Sequence, residues 1–190
     1  MKRNNKRNKL DFDYLEMSAK DLAVIFDSLN IGIRHQRHIL EDIWNNERWV
    51  LEKKYYLPDK KLDFYKEVLY QVDYLYNKND IDDSIRAVIR SAAELGYQVD
   101  QDVLVEDEVG LVEYFKSIWI QLKYVKLKGT VRIKLRTLLK RYHYKKRSAR
   151  FCNYVDSCLY FYKIGLFVKG VPCDIRDITI DTMVTLYLKD

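Results

Sequence analysis

The side chains best suited to chemistry lie in residues 147–154, where Arg147, Ser148, Arg150, Asn153 and Tyr154 gather at the start of an amphipathic segment. A guanidinium matches the paired acceptors of a guanine edge, and a carboxamide matches the donor and acceptor of adenine. Just before them stand Arg132, Arg136, Lys140, Arg141, Lys145 and Lys146, whose charges suit phosphate oxygens. Together with Lys116, Lys123, Lys126, Lys128 and Lys134, they belong to a run of thirteen Lys or Arg between Glu113 and Asp156 that contains no Asp or Glu.

Residues 10–113 read the opposite way, with twelve basic and twenty-three acidic side chains, a net of −11. The whole-chain charge of +6 conceals this split. A concentrated excess of one sign repels itself unless a polyanion or an acidic surface answers it. Nucleic acid is the commonest such partner, which points to duplex DNA first and to RNA as the alternative. The acidic half could also answer the basic half within the chain. Its carboxylates are dispersed over five segments while the cations are concentrated, which argues against full masking.

Other constellations carry less. His35 and His38 stand three apart on an expected helix, whereas a helical metal pair prefers a spacing of four with a carboxylate partner. The carboxylates Asp80, Asp82 and Asp83, and Glu106, Asp107 and Glu108, precede expected helices and suit their dipoles. No glycine-rich phosphate loop, Gly-x-Ser-x-Gly motif or Cys/His nucleophile pair is present. Cys152, Cys158 and Cys173 lack the close pair of a zinc site, and an odd count fits a reduced compartment, the cytoplasm. The first nine residues have no apolar core of a secretory signal and read as a disordered basic arm. No window reaches 18 apolar residues, so no membrane span is expected. No cofactor or metal is expected either.

Arg136 and His143 have the Arg-x6-His spacing and in this resemble the motif of higher eukaryote and prokaryote nucleotide-binding ribonucleases. The resemblance implies a small ribonuclease, which with a carboxylate-metal nuclease forms the enzymatic alternative. Thr137, directly after the Arg, only in part serves as the polar residue usual there. The leaning is towards a non-enzymatic protein.

Elements must position these groups. Six Gly and two Pro in 190 residues favour long helices. Ser18 with Asp21 caps a helix through Leu29, and Gly32 interrupts. A second pattern runs from Ile33 to near Tyr56, and Pro58 opens a third with Leu62, Tyr65, Leu69, Val72 and Leu75 inward. A fourth helix is expected from Asp82 to Leu95, and a short strand or extended connection over 97–105. A fifth carries Leu111, Phe115, Ile118, Trp119 and Leu122. Thr130 is expected to open a helix through Tyr142, then comes a break, and Ser148 caps the next helix. Trp44, Trp49 and Trp119 fall on apolar stripes and read as core. Residues 165–168 and 183–188 read as strands of a hairpin, with Lys169 and Arg176 in the loop between them.

The fold class is therefore mainly α. An acidic helical domain over 10–105, for dimerisation or for docking a protein partner, precedes a basic domain over 107–190. The order helix, turn, helix, strand, loop, strand in the latter resembles a winged helix-turn-helix. That resemblance implies a DNA-binding protein, a regulator or the recognition component of a larger bacterial or phage system.

Overall fold

A computed structural model describes residues 12–75, 109–126, 129–141, 144 and 146–189. The described residues are mostly helical, with one small antiparallel sheet among them. The basic arm 1–9, the expected helix over 82–95, the segment 97–105 and the expected boundary between domains lie outside the described residues.

Helix α1 (Ala19–Ser28) begins as its sequence requires. The Asp21 amide donates to Ser18 Oγ at 3.1 Å, and the Ser18 amide donates to Asp21 Oδ2 at 2.8 Å. This reciprocal box satisfies two amides that have no partner inside the helix. Helix α2 (Ile33–Asn46) starts after Gly32 but stops about ten residues short of the expected end near Tyr56. Single turns lie beyond it at Arg48–Val50 and Lys53–Tyr55. The reason is a competing backbone partner. The Met17 amide donates to Val50 O at 2.7 Å and the Glu52 amide donates to Met17 O at 3.1 Å. This parallel bridge between Met17 and Leu51 uses groups that a continued helix would need.

Pro58 opens a tight turn (Pro58–Lys60) that leads into α3, helical over 61–75. Its expected inward face holds in part: Tyr65 and Val72 are half-buried against the core and Leu75 is half-buried. Phe64 and Val68 are fully buried, while Leu62 is 60% exposed and Leu69 40%. A phenyl ring offers more apolar area than a leucine side chain. Phe64 takes the inner position between Trp44 and Tyr55, with ring centroids 5.7 and 5.0 Å away.

Helix α4 (Val109–Ile120) continues into a wider turn at Gln121–Val125. All five expected core residues, Leu111, Phe115, Ile118, Trp119 and Leu122, are buried. The helix expected over 130–142 is corrected. Thr130–Lys134 form strand β1, and helix α5 spans only Leu135–Arg141. Gly129, at φ +56°, turns the chain into the strand. Val131 and Ile133 then alternate inward and pair with Leu186 and Val184. Their β-branched side chains suit a pleated surface better than a helix.

Helix α6 (Ala149–Phe161) starts at Ser148, whose hydroxyl accepts from the Phe151 amide at 3.2 Å. Strands β2 (Ile164–Val168), β3 (Val171–Pro172) and β4 (Met183–Leu188) complete a sheet in the order β1-β4-β2-β3. The expected pairing of residues 165–168 with 183–188 is present and antiparallel, for example Leu166 with Leu186. Lys169 and Gly170 both adopt positive φ between β2 and β3, the twist a two-residue hairpin turn requires.

One buried apolar cluster contains residues from α1, α2, α3, α4, α6 and the inner face of the sheet. Trp44 and Trp119 lie within it, and Trp49 packs on it edge-on to Trp119 at 6.2 Å. Tyr162, fully buried, donates its hydroxyl to Leu15 O.

Candidate nucleic-acid interface

The sequence places thirteen cations between Glu113 and Asp156, and the fold gives them different fates. Lys116 is 4% exposed and donates to Asp21 Oδ2 at 2.8 Å and Glu113 Oε1 at 3.0 Å. Its ammonium pKa is raised: burial opposes the charge, but the two carboxylates outweigh it. The Glu113 carboxyl is pushed up, first by burial and then by the neighbouring Asp21 charge. Lys123 bonds Glu47, beside the bond from the Tyr124 hydroxyl to Asp42 at 2.8 Å. Two cations of the basic run are thus answered by carboxylates of the acidic half.

Two more act as ties within the C-terminal part. Arg136 donates to both oxygens of Asp181, at 2.6 and 2.8 Å, and these hydrogen bonds, then its charge, hold the Asp181 carboxyl below the usual range. Arg147 donates to Ile175 O at 2.9 Å and to Ile178 O, pinning the loop between β3 and β4 against the start of α6. Arg176, expected in that loop as a nucleic-acid contact, is a bridge within the fold. Its guanidinium lies 2.5 Å from Asp156 Oδ2 and donates to Asn153 Oδ1 at 3.0 Å. It also caps Asp174, whose carboxyl is lowered mainly by the Arg176 amide, which donates to Oδ1 at 2.7 Å.

Lys126, Arg132, Lys134, Lys140, Arg141 and Lys146 remain exposed, with no ion pair among the described residues. Five of these six lie on β1, α5 and the break before α6. Lys128, Lys145 and His143 lie outside the described residues. Positive charge therefore concentrates before α6 rather than along it.

On α6 itself, Phe151, Cys152, Val155 and Cys158 face the core. Arg150, Asn153 and Ser157 face outward and, with Tyr14 and Tyr154, line a shallow groove of about 390 Å³. Arg150 sits over the Tyr154 ring at 5.8 Å, and Tyr14 meets the same ring edge-on at 6.2 Å. Ser148 is spent on the helix cap. Of the expected cluster, Arg150, Asn153 and Tyr154 thus share one face, while Arg147 and Ser148 build the frame.

A second groove of about 420 Å³ runs between α4 and the β1–α5 junction, lined in part by Gln121, Arg132, Lys134, Thr137 and Arg141. The sequence does not mark Gln121 and Lys134 as groove residues, because their placement depends on β1 being a strand.

His35 and His38 are exposed, and no group of three or more His, Cys, Asp or Glu among the described residues could hold a metal ion. The Cys158 thiol is pushed up to about 12 by burial, which leaves it a poor nucleophile. No helix among the described residues is long and apolar enough to cross a membrane. Compared with known proteins, the chain matches no family model, no curated protein and no solved structure.

Proposed function

We propose that this chain is a non-enzymatic DNA-binding protein, a regulator or the recognition component of a larger bacterial or phage system. The observation that carries the proposal is the set of exposed cations on β1, α5 and the break before α6 that have no ion pair among the described residues. In this reading the segment from α4 to β4 is a winged helix-turn-helix. The element order α4, β1, α5, α6, β2, β4 and the neighbour order β1-β4-β2 support it. Helix α6 would enter the major groove, N-terminus first, with Arg150 and Asn153 towards base edges. Lys140, Arg141, Lys145 and Lys146 would lie along phosphates, and the loop after β3, held by Arg176, would be the wing. The acidic half, over 10–105, would serve dimerisation or docking of a protein partner.

A gel shift with duplex DNA, single-stranded DNA and RNA tests the reading at two salt concentrations. If about five cations meet phosphates, log K against log salt should fall with a slope of roughly −4 to −5. Lys146→Ala should weaken all duplexes alike, whereas Asn153→Ala should cost about 1–3 kcal/mol on a preferred site alone. Absence of duplex binding at low salt would sink the proposal.

A further inference from the structure

The outer face of the sheet carries a second arrangement, separate from α6. Strand alternation places Arg132, Thr185, Phe167 and Pro172 in one row across β1, β4, β2 and β3. The next row is Thr130, Tyr187 and Gly165. Gly165 lets the Tyr187 ring lie across β2, because a Cβ at that position would fall against the ring atoms. Phe167 meets the same ring at 4.4 Å and 69°, so the two aromatic side chains form one half-buried unit. Both rings line a depression of about 350 Å³ that also contains Arg132. Arg132 reaches onward into the groove shared with Lys134 and Arg141. The face therefore runs from an aromatic pair into three exposed cations that have no ion pair among the described residues.

We infer that this sheet face binds a single strand of nucleic acid, with bases stacked on Tyr187 and Phe167 and the backbone running along Arg132, Lys134 and Arg141. The uncompensated charge calls for a polyanion, and the aromatic pair distinguishes a strand with unstacked bases from a closed duplex or an acidic peptide. An apolar partner would leave Arg132 without counter-charge. A chain crossing the sheet from β2 towards β1 therefore passes the two rings first and the cations after them. This inference does not depend on α6 reading a duplex.

Fluorescence anisotropy with labelled oligothymidylate and oligouridylate of about 12 nucleotides tests it, alongside a labelled duplex and an oligoglutamate peptide. Both single strands should bind at low salt, and any preference between them would identify DNA or RNA as the source. Phe167→Leu should weaken single-strand binding by about 5- to 150-fold, the range for losing a stacked base. Arg132→Gln should weaken it and shallow the salt slope by about 0.7. Asn153→Ala should leave it unchanged. If Phe167→Leu lowers the melting temperature, Arg132→Gln on the exposed side of β1 carries the decision. No single-strand binding at low salt would overturn the inference. So would binding that Arg132→Gln leaves intact, equal affinity for oligoglutamate, or loss of single-strand binding in Asn153→Ala. Failure of the duplex alone to bind would remove the α6 reading and leave this one standing.

Discussion

Lys116 and Lys140 come from the same basic run, yet the molecule uses them in opposite ways. Lys116 lies in the seam between α1 and α4, buried among Asp21 and Glu113. Lys140 stands on the outer side of α5 with no ion pair among the described residues. The seam spends charge on joining two elements, and the outer side leaves charge available to a partner. A charge run in sequence is thus a mixture of internal fasteners and external contacts, which only the fold separates.

The contrast between seam and surface makes its sharpest demand at Lys116. Lys116→Ala leaves the half-buried Asp21 and Glu113 carboxylates facing each other without their cation, a loss of about 3 kcal/mol, the low end for a buried cluster. Chemical denaturation should show that loss, and a melting curve like that of the parent would break the distinction between seam and surface. The sheet face comes next. Gly165→Ala forces the Tyr187 ring out of its place on β2 and should cost about 1–3 kcal/mol as an overpacking change. A tolerated substitution would mean that Tyr187 is not held there.

Glu41 offers a pH test on the acidic half. It accepts from Lys61 Nζ at 2.7 Å and from the Tyr65 hydroxyl at 2.6 Å, which ties α2 to α3. The Lys61 bond first, then Tyr65 and Asn45, lower its carboxyl from 4.5 to about 2. A depressed carboxyl contributes stability above its unfolded value and loses it as the pH falls through the folded value. Melting temperatures measured from pH 4.5 down to about 2 should therefore decline less steeply in Glu41→Gln than in the parent. An identical acid limb would show that the tie contributes nothing. The smallest structural effect belongs to Lys140→Ala with Arg141→Ala. Together they should leave the melting temperature unchanged while shallowing the duplex salt slope by roughly 2. A lowered melting temperature would place these cations among the fasteners.

Sequence patterns expose some of this arrangement and hide the rest for definite reasons. The starts of α1 and α6 are legible because Ser18 and Ser148 bond to amides three residues away. The apolar stripe of α4 and the pairing of β2 with β4 are legible because burial keeps to a single clear period. Strand β1 is not, since Val131, Ile133 and Leu135 fit an alternating pattern while Val131, Leu135, Leu138 and Leu139 fit a helical one. Gly129 marks a break in the chain but does not distinguish a strand from a helix beyond it. The fates of the cations are hidden by distance along the chain. Lys116 finds Asp21 95 residues away, Lys123 finds Glu47 76 away, and Arg136 finds Asp181 45 away. No local pattern encodes such pairings. The aromatic unit of Phe167 and Tyr187 is hidden for the same reason, because it exists only once two separate strands are in register.

The hydroxyl of Tyr162 closes on Leu15 across 147 residues of chain. During synthesis the turn at Asp13–Leu15 leaves the ribosome 147 residues before this partner does. Until then the buried end of Leu15 has no lid, and the segment waits exposed to chaperones and proteases. A chain stalled before α6 would therefore be vulnerable at its oldest described segment as well as at its newest.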